Sequence, residues 1–200
     1  MIGLKFDENG LVPVVVQDNA TNEVLMVAWA NMEAINLMES TGFTHFWSRS
    51  RGKIWRKGEE SGHVQEIVSM HTDCDGDTLL VHVRQTGVAC HTGEATCFHN
   101  LVMGSDDQSA DVIPRLRRTL RDRLENPKDG SYTCQLYNDE TKMCKKVIEE
   151  AGEFVLALKD GDKDEMAWEL ADLIYHTMVV VEKSGLSMEM VYKKLSERKR

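Results

Sequence analysis

No apolar run in the 200 residues approaches the length that spans a bilayer, so no helix within them is expected to cross one. The first ten residues mix polar and apolar types, and no secretory signal is visible among them. Basic charge is scarce: 24 Lys and Arg stand against 33 Asp and Glu, for a net charge of −9. Neither half is basic. Residues 1–111 hold 7 against 16, and residues 112–200 hold 17 against 17. That excludes nonspecific nucleic-acid binding. An acidic chain that handles phosphates needs metal ions or a local knot of basic residues. Paired CxxC motifs are absent too, which tells against a zinc ribbon or finger. The five cysteines are an odd count without secretory context, so reduced thiols serving as metal ligands or core residues are expected, in the cytosol. There is no internal repeat and no low-complexity tract.

What is present falls into two halves with different periodicity. In the first, Leu11 to Val16 and Glu23 to Trp29 read as strands around the turn residues Asp18 to Asn22. Asn31 suits the cap of a helix from Met32 to about Ser40 that Gly42 ends. Strands resume at Phe43 to Ser48, Glu66 to Thr72 and Thr78 to Arg84. The expected fold is α+β with a mostly antiparallel sheet. The second half is all-α, a helical bundle. Pro114 suits a helix start, with Leu116, Leu120 and Leu124 recurring at four-residue spacing. Helices follow over Lys142 to about Lys159, Lys163 to about Ser184, and Ser187 to Lys194. A small polar stretch, 105–111, reads as the linker between a domain over 1–104 and another over 112–200.

The densest chemistry lies between Asp73 and Cys97. Asp73, Asp75 and Asp77 share one face if the segment is extended, and Cys74 takes the other. Carboxylates suit a hard cation such as Mg²⁺, and thiolates suit a softer one such as Zn²⁺. Cys74 is then free to meet Cys90 and Cys97 from its own chain or a partner's. Three thiolates with an open position make a catalytic zinc site. A fourth ligand, His91 or His99, would make a closed structural one. The bland reading of the Asp run is a solvated turn. Upstream, the segment from Trp47 to His63 holds five of this half's seven basic residues. Arg49 and Arg51, two apart, with Lys57, Ser61 and nearby glycines, suit a grip on phosphate. Trp47 and Trp55 are expected in the core.

Together, Trp47-Ser48-Arg49-Ser50-Arg51, Trp55-Arg56-Lys57-Gly58, Ser61-Gly62, Asp73-Cys74-Asp75-Gly76-Asp77 and Cys90-His91-Thr92-Gly93 through Cys97 resemble the phosphoribosyl-AMP cyclohydrolases of histidine biosynthesis. The resemblance covers essentially residues 1–104. It implies that Cys74, Cys90 and Cys97 hold Zn²⁺ and that Asp73, Asp75 and Asp77 hold Mg²⁺. It also implies a homodimer with zinc ligands drawn from both chains. The reaction would be hydrolysis at C6 of the N1-ribosylated adenine, breaking N1–C6. His91 would transfer a proton or steady the metal's ligands, and Arg49, Arg51 and Lys57 would hold phosphate.

In the second half, Glu150 and Glu153 are three apart on one expected helix, and Glu169 and Asp172 three apart on the next. If Gly161 closes an antiparallel hairpin, both pairs converge, and clustered carboxylates call for a cation such as Mg²⁺. A solvated acidic face is the bland alternative. The E-x-x-E and E-x-x-D pattern resembles the all-α pyrophosphohydrolases. With Asp129 to Thr133, Lys142, Lys146 and Tyr175-His176, it resembles more narrowly phosphoribosyl-ATP pyrophosphohydrolase, over roughly 112–200. That resemblance implies cleavage of phosphoribosyl-ATP to phosphoribosyl-AMP and pyrophosphate. Glu150 would act in catalysis as well as metal binding, and Lys142, Lys146 and His176 would contact substrate. Cys134 and Cys144 read as core or surface thiols. The product of the second half is the substrate of the first, so two independent resemblances point to consecutive steps. The rivals are a zinc nucleobase deaminase fused to a nucleotide pyrophosphatase, weakened by the lack of H-x-E with P-C-x-x-C, and a non-catalytic metal-binding scaffold.

Overall fold

The computed structural model describes residues 3–105 and 111–198. The chain divides into two compact units, 1–108 and 109–200. Most of the expected linker lies outside the described residues.

The first unit is built on strands β1 (Val12–Asp18), β2 (Val24–Ala30), β3 (His45–Ser48), β4 (Lys53–Arg56), β5 (Gln65–Thr72) and β6 (Leu79–Gln85). Alternation decides which face is buried: Val12, Val14 and Val16 of β1 and Leu79, Val81 and Val83 of β6 are fully buried. Helix α1 (Met32–Thr41) covers them with Ala34, Ile35 and Met38. It starts where Asn31 accepts the Ala34 N–H and stops at Gly42, whose φ of 72° is left-handed. The β1–β2 turn is tied by Asp18, whose Oδ1 accepts from Ala20 N, Thr21 N and the Thr21 hydroxyl. The four-stranded sheet runs β2-β1-β6-β5. Its outer pairs, β1–β2 and β5–β6, are antiparallel, but its central pair, β1–β6, is parallel. Apolar alternation reports which face is buried, not strand direction, so this pairing was invisible in the sequence. A separate antiparallel hairpin pairs β3 with β4 and sets the Phe46 and Trp55 rings 5.2 Å apart. The sequence reading missed β4.

Asp73 to Thr78 is not extended; it is the turn between β5 and β6, closed where Thr72 pairs with Leu79. Asp73 Oδ1 accepts the N–H groups of Gly76, Asp77 and Thr78. Gly76 (φ 78°) lies so close to the N-terminal segment that a Cβ there would sit 2.4 Å from Gly3 O. The face-alternation argument for Cys74 therefore does not apply. The turn gathers the carboxylates by another route.

The second unit consists of α2 (Val112–Glu125), α3 (Tyr132–Asn138), α4 (Glu140–Asp160), α5 (Lys163–Ser184) and α6 (Met188–Ser196). Its core joins Leu120, Leu136, Tyr137, Met143 and Val179. The seven-residue α3, capped by Ser131, was not foreseen as a helix. Helices α4 and α5 are separated by Gly161, whose φ of 74° ends α4, and by Asp162, whose side chain accepts from Asp164 N and Glu165 N to start α5. Buried Glu182 of α5 pairs with Arg117 at 2.5 Å and Arg121 at 3.1 Å, fastening α2 to α5.

Candidate active sites

The first unit holds a cleft of ≈ 610 Å³ between the β3–β4 region and the loop after β6. That loop doubles back: Cys90 N–H donates to Glu94 O, Ala89 N–H to Ala95 O, and Cys97 N–H to Leu25 O of β2. Cys90 and Cys97 are thereby brought side by side, and both line the cleft. The Thr92 hydroxyl donates to Cys90 Sγ at 3.1 Å, which favours the thiolate and lowers the Cys90 pKa. Burial pushes the Cys97 thiol up, and the neighbouring Cys90 adds to that. Lys57 lies near enough for both sulfurs to act on its charge; burial nonetheless lowers its pKa, while Cys97 and Cys90 oppose the change. His91 lines the cleft with Nδ1 4.0 Å from Cys90 Sγ. His99 Nδ1 donates to Thr96 O.

The expected phosphate grip is partly assembled. Arg51, Lys57 and Ser61 line the cleft, while Arg49 lies over the Trp29 ring, 4.6 Å from its centroid, and is not among the lining residues. Arg56 and His63 line it too; the motif containing them was legible, their roles were not. Trp55 packs against the core and also lines the cleft.

Asp73, Asp75 and Asp77 offer oxygens within 4.8 Å of one another, all exposed. Burial would raise the Asp73 pKa, but the Thr78, Asp77 and Gly76 amides outweigh it and hold the carboxyl below the ordinary range. Cys74 is exposed in the same turn. Among the described residues of one chain, no group of three metal-capable side chains includes it with Cys90 and Cys97.

The second unit's site lies between α4 and α5. Glu150 and Asp172 stand at equal sequence distance from Gly161, as do Glu153 and Glu169, so a hairpin brings them opposite each other. Glu150, Glu169 and Asp172 offer oxygens within 4.8 Å of one another, and so do Glu149, Glu150 and Glu153. Buried Glu150 belongs to both sets. Sequence spacing missed Glu149 because neighbours i and i+1 do not share a helix face. Lys146 Nζ reaches Glu150 at 2.5 Å and Glu149 at 2.9 Å. These bonds raise the lysine pKa, the Glu150 contact most. Burial alone would raise Glu150, but Lys146, with help from His176, holds it below the ordinary carboxylate value. Glu169 shifts the opposite way: burial first, then the charges of Glu153 and Glu150, raise it. Its Oε2 is buried and receives no hydrogen bond.

His176 is buried rather than presented to solvent, with 4% of its surface exposed. Its Nδ1 donates to Asp172 O at 2.9 Å and lies 3.7 Å from Glu150 Oε1. Nε2 is left to accept from the Tyr132 hydroxyl at 3.4 Å. Thr133 and Tyr175 share a 2.7 Å hydroxyl bond alongside. Lys142 lies over the Tyr132 ring, 4.9 Å from its centroid.

A family model for phosphoribosyl-AMP cyclohydrolase matches residues 26–99, and one for phosphoribosyl-ATP pyrophosphohydrolase matches residues 113–199. The "Histidine biosynthesis bifunctional protein HisIE" of Lactococcus lactis is 47% identical, covering 96% of this chain and 91% of the relative. Its counterpart from Nostoc sp. is 44% identical over 98% and 92%, and that from Thermus thermophilus 43% over 98% and 92%. The deaminase and scaffold readings are set aside. The chain belongs to the bifunctional family of histidine biosynthesis that joins a phosphoribosyl-AMP cyclohydrolase to a phosphoribosyl-ATP pyrophosphohydrolase.

Proposed function

We propose that the α4–α5 pocket cleaves phosphoribosyl-ATP to phosphoribosyl-AMP and pyrophosphate, and that the first unit's cleft then opens the adenine ring at N1–C6. The carrying observation is the unsatisfied Glu169 Oε2 beside Glu150. A buried carboxylate oxygen that no donor satisfies, set among neighbouring carboxylates, fits a divalent cation.

Glu150, Glu153, Glu169 and Asp172 would hold Mg²⁺ there. Asp73, Asp75 and Asp77 would hold Mg²⁺ in the β5–β6 turn. Cys90 and Cys97 would hold Zn²⁺ with Cys74 of a second copy, in a homodimer. When bound, zinc makes water nucleophilic near neutral pH, and magnesium neutralises phosphate charge and orients water.

The chain's own side chains supply the rest. In the cleft, Arg51, Lys57 and Ser61 hold phosphate, with Arg49 at the margin. The His91 ring has Nδ1 toward Cys90, leaving Nε2 to move a proton to or from the opening ring. In the helical pocket, Glu150 stays ionised at neutral pH, as both a metal ligand and an acceptor of water's proton require. His176 fixes it from behind, and its burial argues against direct contact with substrate. Lys146 offsets the carboxylates, and Lys142 is positioned for phosphate.

The test supplies phosphoribosyl-ATP to the purified chain with Mg²⁺ and Zn²⁺. Pyrophosphate and the ring-opened nucleotide both accumulate. Withholding Zn²⁺ after chelation stops the second product only. Loss of both products on zinc removal alone would refute the assignment of one metal chemistry to each unit.

A further inference from the structure

Six of the seven histidines have a ring nitrogen engaged within the described structure: His45 with Phe43 O, His71 and His82 with Ser69, His91 with Cys90 Sγ, His99 with Thr96 O, and His176 with Asp172 O. Among the described residues His63 is the exception: it has no hydrogen bond from its ring, yet it lines the cleft. A free imidazole at a protein surface is ordinary. This one is held in place.

Two glycines hold it. At Gly87 (φ 65°) a Cβ would sit 2.5 Å from His63 Cδ2 and 2.9 Å from Nε2. The ring therefore lies directly on the backbone that leads into Ala89 and Cys90. At Gly58 (φ 79°) a Cβ would sit 2.5 Å from the His63 carbonyl carbon. Both positive φ values suit glycine, and neither contact leaves room for a side chain. The His63 N–H donates to Ser61 Oγ at 3.3 Å, and Val64 N–H donates to Gly62 O. Nε2 lies on the Gly87 side, so Nδ1 is on the ring's far edge.

His63 thus joins two segments. One is the basic loop of Lys57 and Ser61, and the other carries Cys90. With the ring opened beside the thiols and phosphate held by Lys57 and Ser61, phosphoribosyl-AMP would span the same interval. Its reacting C6 adjoins N1, and N1 carries a ribose that ends in a phosphate. The shortest path from the thiols to the phosphate grip runs through that ribose. Its hydroxyls can give or take a hydrogen bond, as imidazole can.

We infer that His63 is a specificity-determining residue of the cyclohydrolase site, hydrogen-bonding the N1-linked ribose of phosphoribosyl-AMP. The inference rests on the cleft being the ring-opening site. Binding through this arm is equal in ground and transition states, so it sets KM rather than kcat. It also separates phosphoribosyl-AMP from plain AMP, which lacks the arm.

The test uses the full chain with Zn²⁺ and Mg²⁺. For His63→Ala, the KM for phosphoribosyl-AMP rises about tenfold, the loss expected of one hydrogen bond to substrate, with kcat little changed. The inhibition constant for ribose 5-phosphate rises in parallel, and that for AMP does not. His63→Asn keeps a donor and an acceptor and recovers part of the loss. It also carries the test should the alanine variant fold poorly. Phosphoribosyl-ATP cleavage in the same preparation reports that the chain is intact. An unchanged KM, a fall confined to kcat, or weakened inhibition by AMP rather than ribose 5-phosphate would overturn the inference. Absence of ring opening in the unsubstituted chain would instead overturn the assignment of the cleft.

Discussion

The two units gather their metal-capable side chains by opposite means. In the helical unit four carboxylates come from two consecutive helices, and the 3.6-residue period aligns them once Gly161 reverses the chain. Those four carboxylates lie within 23 residues, Glu150 to Asp172. In the sheet unit the donors come from a turn and a loop. Asp73 to Asp77 cluster because Asp73 ties the turn's amides, and Cys90 meets Cys97 because the loop doubles back onto β2. Cys74 belongs to the turn and not to that pair. Periodic elements finish a site locally. Turns and loops place fragments, which must be joined by tertiary or quaternary contact.

The sharpest break of this comparison comes from reciprocal variants. Cys90→Ala should lower ring opening by about a thousandfold, the order seen when a group stabilising transition-state charge is removed. It should leave pyrophosphate release intact. Glu150→Gln should do the reverse, each activity being measured with its own substrate. A folded variant that lost both activities would mean the sites are not separate.

A smaller but more discriminating effect concerns Cys74. Cys74→Ala and Cys90→Ala chains, each inactive in ring opening, should regain activity when unfolded together and refolded. With random pairing, half the dimers are mixed and each mixed dimer has one intact site, so about a quarter of full activity returns. No recovery would place all three thiols in one chain and contradict the shared zinc site.

These contrasts also explain what could be read in advance. The α4–α5 carboxylates were legible because a helix converts sequence spacing into spatial spacing. The caps Asn31 and Gly42 marked α1 for the same local reason. The parallel β1–β6 pair was not legible, since strand direction leaves no mark on alternation. The Asp73 turn was misread as extended, because Asp-Cys-Asp-Gly-Asp fits either state until Thr72 is seen to pair with Leu79. Arg49 was read from its neighbours as a phosphate ligand; its position over Trp29 depends on β2, which is distant in sequence. The seven-residue α3 is too short for its period to stand out.

Glu169 sharpens the helical side through pH. Its pKa is raised in the metal-free fold, so its ionised form is disfavoured there relative to the unfolded chain. This group therefore costs the metal-free fold nothing well below pH 4.5, and the cost grows as pH rises through and above that value. Glu169→Gln should raise the melting temperature of the chelated protein at pH 7, and the gain should vanish as pH falls below 4.5. Mg²⁺ should stabilise the unsubstituted protein more strongly at pH 7 than at pH 5, and the variant much less at either. A melting temperature lowered by Glu169→Gln without metal would show that the carboxylate is satisfied after all.

The smallest expected effect tests the turn. Gly76→Ala adds a Cβ that would lie 2.4 Å from Gly3 O, at a backbone φ of 78°. Strain of this kind costs on the order of 1–3 kcal/mol. Lys5 N–H also donates to Gly76 O at 2.6 Å, so relief of the clash pulls the N-terminal segment away from the turn. Denaturant unfolding should then show the first unit weakened and the second unchanged, because the strain lies wholly within the β-domain. If the trio of carboxylates depends on the Asp73 amide bonds, Mg²⁺ should protect the variant's first unit less than the parent's. Equal protection would mean that the cation itself, rather than the turn, brings Asp73, Asp75 and Asp77 together. The sheet unit's ligand cluster would then be assembled by the metal it binds, while the helical unit's is prepared beforehand.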